Sequence, residues 1–284
     1  MLNYNYVAMK KLDINLLKNY SDTIRKKIID TAYSCGESVH IGGALSMVDI
    51  LSVLYGGVMK YNNKNLNCDQ RDIFILSKGH CCLGYFAAMN SFGLMSDEVF
   101  KTFQQNGSHL IAHPVKNLEL GIESSNGSLG QGLSFGLGIA LGMRLQSDNK
   151  RSVYVLLGDG ECNEGAIWET AASASEFKVG NLTAIVDVNG LRNDGPNNTH
   201  IESVNLNDVW SSFGWNVEEV DGHNHKMLIS AFKKAKSEKT RPTVILANTT
   251  KGKGISFMEA NNDWHHNRIT AKTYENIINE WDQL

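Results

Sequence analysis

VYVLLGDGECNEGAIWETAASASEFKVGNLTAIVDVNGLRNDG, residues 153–195, is the stretch from which the rest of the chain is read. It holds two apolar runs, 153–157 and 182–188, each followed by a polar, glycine-containing turn: Gly158-Asp159-Gly160 after the first and Asn189-Gly190 after the second. Short β-rich runs bounded in this way read as buried strands. The intervening residues 162–177, rich in Ala and Glu, are long enough for a helix. The stretch is therefore a β-α-β unit with an acid at the end of one strand and an amide at the end of the next.

Upstream, residues 133–145 fit two patterns. Leu133, Phe135, Leu137, Ile139 and Leu141 alternate as in a strand, whereas Leu133, Leu137 and Leu141 also fit a helix. The length, and the lack of Val and Thr, predict helix, with Gly132/Gly136 and Gly138/Gly142 as a small-residue face for close packing. Residues 106–126 form a long irregular stretch; loops of that length in compact domains are usually functional or disordered, and His109 and His113 favour the functional reading. A short helix is expected after Ser96, and a strand over 72–76 ends in Ser77-Lys78-Gly79-His80 and leads into a helix through Ala87 and Ala88. Residues 62–69 are a polar connection. Before them come a helix over 47–55, a loop over 38–43 containing His40, and an amphipathic helix marked by Leu17, Tyr20, Ile24 and Ile28 that ends near Cys35-Gly36. Residues 1–12 read as a loose arm.

Downstream, strands are expected over 215–220 and 243–247, with a helix over 227–235 between them and a closing helix over 272–281. Strands alternating with helices imply an α/β fold: a mostly parallel sheet with helices on both faces. Polar sites at 77–80, 158–160, 189–191, 221–223 and 248–254 all fall at the carboxyl ends of expected strands, the edge at which open α/β sheets bind ligands.

The 284 residues show no internal repeat or linker, and one domain over 1–284 is the simplest reading. An apolar content of 42% and a charged content of 20% are those of an ordinary globular protein, and a net charge of −3 provides no attraction for nucleic acid or an anionic membrane. Cysteines 35, 68, 81, 82 and 162 are odd in number and lack metal-type spacing, which points to reduced thiols in a cytoplasmic protein, with the Cys81-Cys82 pair serving packing. No signal core or membrane-length apolar run is present.

Asp159 and Asn189 would project from one sheet edge. With the carbonyl of Leu191 they form an all-oxygen donor set suited to Mg²⁺, which commonly keeps water and bridges to a phosphate. Gly158 and Gly160 leave bare backbone beside the acid, and the following helix offers free N–H groups to an anion. The chemistry indicated is Mg²⁺-bridged diphosphate binding. Gly-Asp-Gly alone is better explained as a turn with a helix cap; the paired Asn189 brings the functional reading level with it.

Gly158-Asp159-Gly160, the Ala-rich helix and Asn189 together closely resemble the thiamine diphosphate signature, and from about residue 14 to 274 the chain resembles the amino-terminal part of transketolase. Further motifs follow in the family's order: the His40 loop, Ser77-Lys78-Gly79-His80, His113-Pro114, Leu129-Gly130-Gln131-Gly132, Asp221-Gly222-His223 and Lys251-Gly252-Lys253-Gly254. The resemblance implies the thiamine diphosphate-binding fold, with thiamine diphosphate and Mg²⁺ (or Ca²⁺) as cofactors. It implies Asp159, Asn189 and Leu191 at the metal, and His80, Leu129, Gly158, Gly160, Glu164, Asn189 and His265 around the cofactor. His40, His80, His113 and His265 become the catalytic set lining the sugar channel, where imidazoles donate to hydroxyls and move protons. Glu164 and Glu169 match acids at the family's subunit interface. His109, His200, His223, His225 and His266 are read as incidental.

In the family the activating glutamate comes from a following pyrimidine-binding domain, which is not expected within these 284 residues. The resemblance therefore implies the amino-terminal subunit of a split transketolase, moving a two-carbon ketol unit from a ketose (phosphate) to an aldose. It would be inactive alone and paired with a carboxy-terminal subunit in an α2β2 assembly. Three departures bear on substrate: Gly127-Ser128-Leu129 replaces the usual Gly-Pro-Leu, Asn193 replaces an apolar residue, and His266-Asn267-Arg268-Ile269 replaces Gly-x-Ala-Pro after His265. They fit a transferase specialised for modified sugars. Two other readings compete. One is the α subunit of a thiamine-dependent 2-oxo acid decarboxylase or dehydrogenase, against which the four histidines argue. The other is a non-catalytic cofactor-binding scaffold, against which the Asp159/Asn189 pair argues.

Overall fold

The computed structural model describes residues 13–63, 66, 70–148, 150–196 and 205–283. The expected arm at 1–12, most of the connection at 62–69, Cys68 and His200 lie outside the described residues. Asp13 opens helix α1 (Ile14–Cys35) by accepting from the Asn15 N–H at 2.9 Å, and Leu17, Ile24, Ile28 and Ala32 form its buried stripe.

The region read as a loop over 38–43 and a helix over 47–55 differs. Helix α2 (Gly42–Ser46) begins within the expected loop and is followed by α3 (Val48–Val53). Gly42 and Gly43 serve close approach rather than a turn: a Cβ on Gly43 would stand 2.5 Å from Cys81 Sγ, and one on Gly42 would stand 2.9 Å from the Trp264 carbonyl.

Strand β1 (Ile73–Leu76) leads through Lys78 to α4 (Cys82–Ser91), and Ser96 caps the short α5 (Asp97–Phe100). Residues 133–145 are helical, within α6 (Gln131–Leu145). Of its two glycine pairs, Gly132 and Gly136 pack on the sheet, where a Cβ would meet Ser77 and Val155 within 2.5 Å. Gly138 and Gly142 face open space. Strand β2 (Val153–Gly158) follows.

The helix expected over 162–177 starts later. A 3₁₀ turn, Gly160–Asn163, comes first, Glu164 is extended, and α7 runs over Gly165–Glu176. Then come β3 (Leu182–Val188) and a small hairpin of β4 (Leu191–Arg192) and β5 (Gly195–Pro196). Helix α8 (Leu206–Ser212), unanticipated, packs next, followed by β6 (Asn216–Asp221), α9 (His225–Ser237), β7 (Thr243–Asn248) and α10 (Ala271–Trp281).

Five strands form one parallel sheet in the order β1-β2-β3-β7-β6. Alternate side chains separate into two cores, as a period of two requires. Phe74, Leu76, Tyr154, Leu156, Ile185 and Ile245 pack beneath α1, α3, α4 and α9, whereas Ile75, Val155, Leu157, Val186 and Leu246 pack beneath α6, α7 and Trp210 of α8. Helices thus cover both faces. Because β2 and β3 are neighbours with Gly158 opposite Asp187, their polar extensions emerge side by side.

Candidate active site

At the carboxyl edge of β2 and β3 lies a cavity of about 370 Å³, bordered by Asp159, Asn189, Leu191, Gly158, Gly160 and Leu129 together with His40, His80 and His265. Asp159 is buried, and its two oxygens accept from the Gly160 N–H at 2.8 Å and the Gly190 N–H at 2.7 Å. Gly190 reaches that position with φ +74°, a conformation that disfavours any side chain. Asn189 Oδ1 accepts from the Leu191 N–H at 3.2 Å. Burial, reinforced by nearby Asp187, raises the Asp159 carboxyl above its usual range.

This carboxylate has only backbone donors and faces the cavity, an environment that a divalent cation would improve. The oxygens of Asp159, Asn189 and Leu191 match a hard cation's preference. Among the described residues no cluster of three His, Cys, Asp or Glu suited to a metal occurs, so a metal held here depends on the amide and the carbonyl as well as the acid.

Bordering the cavity through Lys78 is a charged pair that the sequence reading missed. Asp187, at 0% exposure within the apolar run of β3, is ion-paired with the equally buried Lys78. It also accepts from Ser46 Oγ at 2.5 Å, Thr249 Oγ1 and Asn189 Nδ2 at 3.1 Å. Burial opposes the charge on Asp187, but Lys78 and these donors outweigh it and hold the carboxyl below its usual range. Asp187 in turn holds the Lys78 ammonium above its own, against the same opposition from burial. The available signal was the i, i+2 spacing of Asp187 and Asn189, which places both on one strand face.

Glu161 was also missed. Its Oε1 accepts from Ser77 Oγ at 2.5 Å and the Gly130 N–H at 2.8 Å, and its Oε2 from the Gly158 N–H at 3.0 Å. It ties the ends of β1 and β2 to the turn before α6. Glu164, by contrast, is exposed beside Gly130, outside the cavity lining, and Glu169 is exposed on α7.

Lys251, quoted within a motif but not chosen as a site residue, lines the cavity. Its Nζ lies 2.7 Å from His265 Nδ1, 3.0 Å from Asn262 Oδ1, 3.2 Å from the Arg192 carbonyl and 3.5 Å from the Leu191 carbonyl. These partners are neutral, and burial lowers the ammonium to about 8.

The histidines cluster. The His40 ring centroid lies 5.1 Å from His80, 5.3 Å from His265 and 6.1 Å from His113. His266, read as incidental, stands closest, at 4.4 Å from His40. Burial, with neighbouring positive groups, lowers His40 to about 3, His80 to about 2 and His265 to about 4. At these values the imidazoles are neutral at pH 7, each with one donor and one acceptor nitrogen. His223 instead braces the fold: its Nδ1 pairs with buried Asp49 at 2.7 Å and its Nε2 accepts from the Thr250 N–H at 2.8 Å. His225 lies 3.1 Å from Ser21 Oγ in the same cluster. His109 is not among the cavity's lining residues. Of the departures, Asn193 lines the cavity and Ser128 does not.

A parallel sheet with an acid and an amide at adjacent strand ends, beside a set of neutral imidazoles, is an arrangement that could hold a phosphate-bearing cofactor next to hydrogen-bonding side chains. The family model described as transketolase, thiamine diphosphate binding domain, matches residues 17–282, and the chain belongs to that family. It is 35% identical over 269 residues to one of the subunits of the apulose-4-phosphate transketolase of Phocaeicola vulgatus, covering 95% of each chain. It is 34% identical to 6-deoxy-6-sulfo-D-fructose transketolase subunit SqwG of a Clostridium species, covering 94% of this chain and 96% of that one. The crystal structure of transketolase from Campylobacter jejuni superposes with a TM-score of 0.86 at 27% identity, over 94% of this chain and 43% of that chain. The chain thus has the span of the two subunits and under half that of the solved transketolase. No described helix is long and apolar enough to cross a membrane.

Proposed function

We propose that this chain is the diphosphate-binding subunit of a two-chain transketolase, transferring a two-carbon ketol unit from a modified or phosphorylated ketose to an aldose. The observation that carries the reading is one cavity bordered by Asp159 and Asn189 at adjacent strand ends and by the His40, His80 and His265 imidazoles. The two subunit relatives, named for apulose 4-phosphate and a sulfofructose, support a specialised sugar substrate.

In this reading Asp159, Asn189 Oδ1 and the Leu191 carbonyl hold Mg²⁺ or Ca²⁺. Gly158, Gly160, Leu129, His80, His265 and Lys251 border the diphosphate. Thiamine diphosphate, when bound, supplies a thiazolium that acts as the electron sink for cleaving a ketose carbon–carbon bond. The protein's share is positional. Asp187 orients Asn189 through its Nδ2, Glu161 fixes the Gly130 turn, and His40, His80, His113 and His265 hold the sugar hydroxyls and exchange protons with them.

A carboxy-terminal subunit would contribute a pyrimidine-binding domain and its glutamate. The outward stripe of α6, with Phe135 at 43% exposure and Leu145 at 88% flanking the open Gly138 and Gly142, supports a partner seated on this face, in an assembly we propose to be α2β2. The whole chain acts as one domain, in the cytoplasm.

The test is binding followed by turnover. Asp159→Ala is expected to weaken Mg²⁺-dependent thiamine diphosphate binding on the order of 100-fold or more with circular dichroism unchanged. Unchanged affinity rejects the metal assignment. With the co-purifying partner present, ketose donors are expected to turn over and pyruvate is not. Robust turnover by the chain alone, or turnover of pyruvate in place of ketoses, refutes the reading.

A further inference from the structure

His40 and His266 are brought together by backbone. Val39 and Asn267 form an isolated antiparallel bridge: the Val39 N–H donates to the Asn267 carbonyl at 3.0 Å, and the Asn267 N–H to the Val39 carbonyl at 3.1 Å. In an antiparallel pair the next residue of one strand faces the preceding residue of the other, so this bridge sets His40 opposite His266. Their ring centroids stand 4.4 Å apart. Beyond the bridge, Ile269 is buried at 1% exposure and anchors the segment. His266 is thus held in register, although its own ring is exposed.

The imidazoles cluster around His40. His80 and His265 lie within the cavity, 5.4 Å apart. His40 lines the cavity with them, 5.1 Å from His80 and 5.3 Å from His265, so that these three inner rings form a triangle. His113 and His266 flank His40 outside the cavity lining. Because His266 is exposed, lies outside the cavity lining and stands against the lining ring of His40, a sugar too long for the cavity that leaves it past His40 meets His266.

We infer that His266 is a specificity-determining residue, which hydrogen-bonds the outer hydroxyls or terminal anionic group of a long-chain sugar while leaving the reacting end to the inner histidines. The inference rests on the ketol-transfer reading of the site. His266 acts on substrates by length: a two-carbon aldehyde ends before reaching it, and a five-carbon aldose phosphate does not.

The experiment uses the assembly of this chain with its co-purifying partner, loaded with thiamine diphosphate and Mg²⁺. Hydroxypyruvate serves as a short donor, and the acceptor is either glycolaldehyde or D-ribose 5-phosphate. For His266→Gly, kcat/KM with D-ribose 5-phosphate is expected to fall about fivefold, the equivalent of about 1 kcal/mol at 1.4 kcal/mol per tenfold, as for one neutral hydrogen bond. With glycolaldehyde it stays within about twofold, and cofactor affinity and melting temperature are unchanged. His266→Gln, which keeps a donor, restores most of the loss.

Equal loss with both acceptors, no loss with either, a gain with the longer acceptor, or failure of His266→Gln to restore activity overturns the inference while leaving ketol transfer intact. A wild-type assembly that transfers a ketol unit from neither hydroxypyruvate nor a ketose to any aldehyde refutes the ketol-transfer reading, and this inference falls with it.

Discussion

Replacing Asp187 with Asn tests the buried network beside the site. Asp187 is fully buried and is the only carboxylate ion-paired with Lys78, itself 2% exposed, among the described residues. The amide removes the negative charge and leaves the ammonium with only neutral acceptors, the amide oxygen and the Gly43 carbonyl at 3.1 Å. Breaking a buried pair from one side costs about 3–5 kcal/mol, because the surviving charge stays desolvated. The amide NH2 must also face one of the donors from Ser46, Thr249 or Asn189, adding about 1 kcal/mol or more. Against a typical stability of about 5–15 kcal/mol, Asp187→Asn should lower the urea midpoint severely.

Removing both charges is less harmful. Lys78→Met with Asp187→Asn is expected to be about 2 kcal/mol or more stabler than Asp187→Asn alone, since no orphan ion remains. Urea denaturation at pH 7.5 of wild type, the two single variants and the double variant completes the cycle. A loss below about 1 kcal/mol for Asp187→Asn, or a double variant no stabler than Asp187→Asn, refutes the reasoning. The same network links stability to the site, because Asn189 Nδ2 donates to Asp187 Oδ2. A double variant that folds is therefore expected to bind Mg²⁺ and thiamine diphosphate more weakly than wild type.

Two further outcomes follow from the geometry. Glu161→Gln presents an amide N–H to one of the three donors that the carboxylate now accepts, so a loss of about 1–3 kcal/mol is expected by urea denaturation, and an unchanged midpoint contradicts the clamp. The lowered values of His40, His80 and His265, about 3, 2 and 4, mean that unfolded imidazoles take up protons below pH 6.5 while the folded ones do not. Stability is then full above pH 6.5 and falls as pH drops from there toward 4, before the carboxyls of Asp49 and Asp187, held low in the fold, begin to titrate. Urea midpoints at pH 7.5, 6.0 and 5.0 measure the fall, which should flatten when the three histidines are replaced by Gln; equal midpoints at all three values contradict it.

Local pattern in the chain was enough to read the alternation of strands and helices, the buried character of β1, β2, β3 and β7, and the ends of β2 and β3 as the place for Asp159 and Asn189. A period of two or of about 3.6, a turn of Gly and Asn, and a run too apolar to face water are all visible within a dozen residues. The partners of buried charges are not, and they emerge only when the elements pack. Asp187 reads as a polar interruption in an apolar strand until Lys78, 109 positions away, is seen against it. Glu161 reads as one acid among several until its three donors converge from separate turns, whereas Glu164, at helical distance from it, points to solvent.

The same holds for Gly42 and Gly43, which look like loop residues and prove to be points where α2 approaches Cys81 and the Trp264 backbone. His266 lies 226 positions from His40, and an antiparallel bridge between Val39 and Asn267 is what opposes them. Periodicity reports which side of an element avoids water. It carries no record of which distant group will answer a buried charge or face a ring, because that depends on how separately legible elements pack.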